Sequence, residues 1–135
     1  MSEIVKTVSR LFTPLIFLFG IYITIHGHLT PGGGFAGGVI LAGAIVLGIL
    51  AYGDVQGKKN RASISESFGI LFFWLVAVLG LMVGGIFFLN FLGKGIPFHI
   101  FSAGIIPLCN IGITAEVCGA ICAIVLALIL FRREE

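Results

Sequence analysis

Charge is what this sequence has least of. Its 135 residues include eight Lys or Arg and six Asp or Glu, 10% of the chain. Soluble domains carry about 25% charged residues. With 59% hydrophobic residues and a mean hydropathy of +1.18, the chain cannot cover a folded surface with polar groups, and membrane protein is the class that fits. Cysteine is also sparse. Cys109, Cys118 and Cys122 form no C-x-x-C pair, which argues against a zinc or dithiol site and for small packing residues. No nucleophile–base set, no paired catalytic carboxylates, no phosphate loop with a lysine and no basic nucleic-acid patch is present. Catalysis by this chain alone, a bound cofactor, a metal site and nucleic acid are therefore not expected. Strict apolar–polar alternation is missing too, which argues against a membrane β-barrel.

What the sequence does have is four apolar runs, at about 8–25, 35–51, 67–92 and 111–131. A span needs roughly 20 such residues, so the expected fold is all-α and integral to the membrane. It has four transmembrane helices in one membrane domain, 1–135. The first run is long and closes on no small-x-small cleavage site, so it reads as a retained helix rather than a secretory signal. The third run is long enough to tilt or project beyond the hydrocarbon. With four spans, Lys6, Arg10, Lys58, Lys59, Arg61, Arg132 and Arg133 share one side and Lys94 stands on the other. The positive-inside rule then places both termini in the cytoplasm, in a multi-pass plasma-membrane protein.

The organising stretch is 26–38, HGHLTPGGGFAGG, between the first two runs. Pro31 has a fixed φ and no N–H, and Gly32, Gly33 and Gly34 turn where side chains would clash. The expectation is a tight helical hairpin on the outer side with His26 and His28 at its crest. Beyond it, Gly34, Gly38 and Ala42 make a small-residue face at fourfold spacing, and Gly80 and Gly84 repeat that spacing in the third run. Ser63 and Glu66 have the spacing of a capping box for helix three. Segment 93–110, GKGIPFHIFSAGIIPLCN, is apolar but broken by Pro and Gly. Such backbone survives at membrane depth only against protein or water, so it is expected to lie across the outer surface.

Gly32 to Gly37 matches G-x-G-x-x-G letter for letter. The dinucleotide fingerprint needs a strand before it, and here an apolar helix precedes. A close turn is the plainer reading, with ion binding through exposed carbonyls the sharper one. His26, His28 and His99 fall on the outer side, as structural residues or as proton or ion handlers. Glu116 is the one carboxylate inside an expected span. Such a residue is by default a functional hypothesis, yet it also fits a structural pair. It shares a helix face with Gly112, Gly119, Ala120, Ala123 and Ala127, a face that should meet protein. Asn110 and Thr114 lie on nearby turns and would complete an oxygen-lined site. Together Glu116, His26, His28, Asn110 and Thr114 are the ion-path candidates.

The first motif, HGHLTPGGGFAGG, resembles the signature of the MnhB family, one of the small membrane subunits of Mrp-type multisubunit sodium/proton antiporters. GIPFHIFSAGIIPLCNIGI resembles the more variable region before that family's last helix. His28, Pro31, Gly32, Gly33, Gly34, Phe35 and Gly38 match the family motif. Asn110 stands where many antiporter members are expected to carry aspartate, which leaves Glu116 or neighbouring subunits to hold the ion. The resemblance implies a non-enzymatic four-helix subunit assembled with other membrane subunits, and sodium ions or protons passing at interfaces that it lines or seals. The same module occurs in archaeal respiratory complexes, including membrane-bound hydrogenases and a sulfur-reducing relative, and the compact second segment resembles those more. Two other readings stay open: a pure scaffold subunit, and a small self-assembling proton-coupled transporter. The latter needs a carboxylate deep in the first helix, where 8–25 has none.

Overall fold

The computed structural model describes residues 2–53, 55, 57–93, 95–100 and 102–134, apart from the side chains of 133 and 134. Lys94 and the Arg133 side chain, used in the charge reading, lie outside them. The chain forms four helices: α1 (Glu3–Ile25), α2 (Gly33–Tyr52), α3 (Lys58–Gly84) and α4 (Ile106–Glu134). All four are long and apolar enough to cross a membrane, and no strand occurs among the described residues.

The helix ends differ from the apolar runs for local reasons. α1 begins at Glu3, because Ser2 caps it by accepting from the Val5 N–H (3.4 Å) and Glu3 suits the positive end of the helix dipole. α3 starts at Lys58 rather than 67, so the polar stretch before the apolar run is already helical. Ser63 and Glu66 therefore lie inside α3 and cap nothing. The residue before α3 is Gly57, at φ 77°, with no side-chain cap. α3 stops at Gly84 rather than 92, where Gly85 turns left-handed at φ 73° and its N–H closes on Leu81 O (2.7 Å). Gly80 and Gly84 then serve a purpose other than helix pairing. The returning chain lies against them, with Leu89 N 2.7 Å from where a Gly80 Cβ would stand. α4 starts at Ile106 rather than 111, with Pro107 in its first turn, where the missing donor is tolerated. Asn110 is accordingly a helical residue.

α4 is the hub. α3 packs along it and α2 packs along its other side, while α1 packs on α2 and touches α4 lightly. Among the described residues the backbone of α3 comes close to no other helix. The α2 face Gly34–Gly38–Ala42 meets α4: a Cβ on Gly38 would lie 2.8 Å from Val117 Cβ, and Ala42 is fully buried. Small residues let backbones approach where lipid gives no hydrophobic drive. The outward faces keep large apolar side chains exposed, among them Leu18, Phe68, Trp74 and Leu128, as lipid or partner contact requires.

The start of α1, the end of α2, the start of α3 and the end of α4 share one end of the bundle. There Arg10 Nε donates to Tyr52 Oη (3.3 Å), which donates in turn to Lys6 O (3.4 Å). The hairpin and segment 86–105 share the other end.

Candidate functional site

The hairpin end is built from backbone. α1 closes with the His26 N–H on Tyr22 O (3.0 Å), while the His26 carbonyl accepts from Leu29 N (2.9 Å), Thr30 N (3.0 Å) and Thr30 Oγ1 (3.1 Å). The His26 ring stacks on Tyr22 with centroids 4.2 Å apart. Gly32 and Gly33 take φ 144° and 85°, conformations that an L side chain adopts only with strain. Gly27 is pressed against the Gly33 backbone and the Asn110 side chain. The G-x-G-x-x-G letters therefore join two helices, with no strand before them.

This arrangement sets three of the candidate residues at the same end of the bundle. Asn110 reaches from α4 to the hairpin. Its Nδ2 would lie 2.8 Å from a Cβ on Gly27, and its Oδ1 3.6 Å from one on Gly33. His28 Nε2 lies 3.3 Å from His99 O, tying the hairpin to segment 86–105 and setting all three histidines at one end. Asn110 Nδ2, His26 Nδ1 and His28 Nδ1 are shut off from solvent and have no hydrogen-bond partner among the described residues. Buried polar atoms are nearly always paired, so three orphans at one end of a helix bundle ask for water, an ion or a partner's polar group.

One turn deeper lies a contact that sequence reading half found. Thr114 Oγ1 is 2.7 Å from Asn110 O, 3.0 Å from Gly34 O and 3.1 Å from Thr24 Oγ1, which donates to Gly20 O at 2.9 Å. Both threonines are buried. Two hydroxyl protons serve four oxygen contacts across α1, α2 and α4. The oxygens stand at hydrogen-bond spacing, so the cluster works as a clamp between helices. Gly37 makes room for it, since a Cβ there would collide with Thr24 Oγ1. Thr24 was not singled out from the sequence. Its signal was a hydroxyl four residues after Gly20 inside an apolar run, the spacing of a back-bond to the helix.

Glu116 is elsewhere. It lies half-buried on the α3 side of α4, where its backbone abuts Gly69. The packing is reciprocal. A Cβ on Gly119 would stand 2.5 Å from Glu66 N and 2.6 Å from Ala62 O, and one on Gly69 would stand 2.7 Å from Gly112 O. Glu-x-x-Gly thus occurs on both helices, at 66–69 and 116–119, each glycine receiving the other helix's glutamate backbone. Ser65 Oγ adds a bond to Ala115 O (3.1 Å). With α3 beginning at Lys58, Glu66 is helical as well, so Glu116 is not the lone helical acid on this seam. Cys118 and Cys122 carry free thiols and form no metal cluster with other His, Cys, Asp or Glu among the described residues.

Comparison with known proteins points one way. Residues 4–123 match the family described as a domain related to the MnhB subunit of the Na+/H+ antiporter. An uncharacterized protein of Methanocaldococcus jannaschii is 34% identical over 125 residues, covering 86% of this chain and 48% of that protein. The putative antiporter subunit mnhB2 of Staphylococcus aureus is 34% identical over 83 residues, 62% of this chain and 53% of that one. A chain in the structure of the membrane-bound sulfane sulfur reductase, an archaeal respiratory membrane complex, superposes with a TM-score of 0.82 at 33% identity. That match covers 94% of this chain and 57% of the other. This chain thus spans about half the length of the relatives it matches.

Proposed function

Since the chain belongs to the family of domains related to the MnhB subunit of Na+/H+ antiporters, we propose that it is a non-catalytic membrane subunit of a multisubunit sodium/proton-translocating complex. In that complex it lines or seals a cation path at subunit interfaces. The structural likeness to a chain of an archaeal respiratory complex supports a respiratory assembly over a stand-alone exchanger. Neighbouring subunits cover the exposed apolar faces, and lipid covers the rest. The clustered basic residues at the end opposite the histidines favour that end as cytoplasmic, in the plasma membrane, with the hairpin outside.

The observation that carries this reading is the trio of buried, unpartnered polar atoms at the hairpin end: Asn110 Nδ2, His26 Nδ1 and His28 Nδ1. In this reading ordered water or a hydrated cation completes them, and the imidazoles hand on protons. Thr114 and Thr24 brace the three helices below. Glu116 stands on the α3 side of α4, so an ion reaching it approaches along a different face.

A map of the assembled complex that resolves water tests this. Ordered density within hydrogen-bond distance of at least two of the three atoms is expected. A dry site, with each atom capped by a partner side chain, would reduce the subunit to a scaffold.

A further inference from the structure

We propose that the groove between α3 and the α1–α2 pair is a binding site for one acyl chain of an anionic phospholipid. A hollow of about 250 Å³ lies between α2 and α3 with α4 as its floor. A second, of about 400 Å³, continues toward the hairpin end, lined by α1, α2 and α4 with Ser65 alone from α3. Ile45, Ser65 and Cys118 border both, so the two form one groove. It exists because α3 packs on α4 alone among the helices described. It follows α4 from Leu126 to Ile111, about 22 Å at 1.5 Å per residue.

Size and charge choose the occupant. A single hydrocarbon chain is narrow enough to lie along the groove. The lining is apolar apart from hydroxyls, and those of Ser65, Thr24 and Thr114 are already engaged within the protein. At the end away from the histidines, Lys58 and Arg61 line the opening, and Lys59 is exposed beside them. That opening coincides with the first turn of α3, which holds no acid and whose preceding Gly57 offers no side-chain cap. The positive end of the helix dipole and the Arg61 guanidinium lie at this opening, and basic pockets between helices at the membrane surface bind anionic headgroups. The inference does not depend on whether the hairpin end conducts ions.

The test uses the purified complex containing the full chain. It is equilibrated in detergent with an equal mixture of phosphatidylglycerol and phosphatidylcholine, and the retained lipid is counted by mass spectrometry. The wild type is expected to prefer phosphatidylglycerol. Arg61→Ala should lower that preference about fivefold, and Arg61→Lys should preserve it. Ile45→Trp, which fills the groove where its two halves meet, should release one lipid per chain. Equal retention of the two lipids by the wild type would overturn the proposal. So would an Arg61→Ala variant that behaves as wild type, or a helix of another subunit seated in the groove in a map of the complex.

Discussion

At the scale of single residues, Thr114 shows how little polarity this chain uses and how much each group is asked to do. Its hydroxyl stands among Asn110 O, Gly34 O and Thr24 Oγ1, so it joins three helices at once. Hydrogen bonds between membrane helices contribute about 0.6 kcal/mol on average and up to about 1.7. Thr114→Val keeps the shape and removes the donor. It should destabilise the assembled complex by about 1 kcal/mol, read as a lower midpoint of thermal unfolding in detergent, and leave transport unchanged below that midpoint. Asn110 and Thr114 were legible in the sequence because polar groups in an apolar run stand out. Thr24 was not, because a threonine inside an apolar helix ordinarily bonds back to its own helix and signals no partner across it. What no sequence pattern gives is orphaning: that His26 Nδ1, His28 Nδ1 and Asn110 Nδ2 end without partners among the described residues depends on contacts between segments more than 70 positions apart.

At the scale of elements, the α3–α4 seam brings backbone against backbone. Gly69 and Gly119 each receive the backbone of a glutamate from the facing helix, so any side chain there pushes α3 off its support. Overpacking of this kind costs about 1–3 kcal/mol. Because α3 rests on α4 alone among the described helices, the loss is not shared with another contact. Gly69→Val should therefore lower the yield of assembled complex severalfold by size-exclusion chromatography. Gly48, with nothing near its absent Cβ, should accept alanine without loss. The four spans and the small faces of α2 and α4 were readable because hydropathy and fourfold spacing report burial directly. The helix ends were not. Hydropathy marks where lipid is, while α3 is helical through a polar stretch from Lys58 and halted at Gly85 by a left-handed turn. Gly80 and Gly84 misled for a related reason, since small residues accept a returning loop as readily as a helix.

At the scale of the whole molecule, a hub helix with partners on two sides leaves large apolar faces uncovered. The polar content collects at the two ends, basic residues at one and histidines at the other. That arrangement suits a subunit surrounded by others, with the proposed ion path at its hairpin, better than a pore of its own. The most direct measurement is sodium-driven proton movement in inside-out vesicles carrying the assembled complex with Asn110→Leu, a replacement of similar size that withdraws the amide from the hairpin cluster. The expected result is a rate at least tenfold lower with the subunits still assembled in normal amounts. A wild-type rate from a fully assembled variant would contradict an ion path at the hairpin and leave this chain a scaffold.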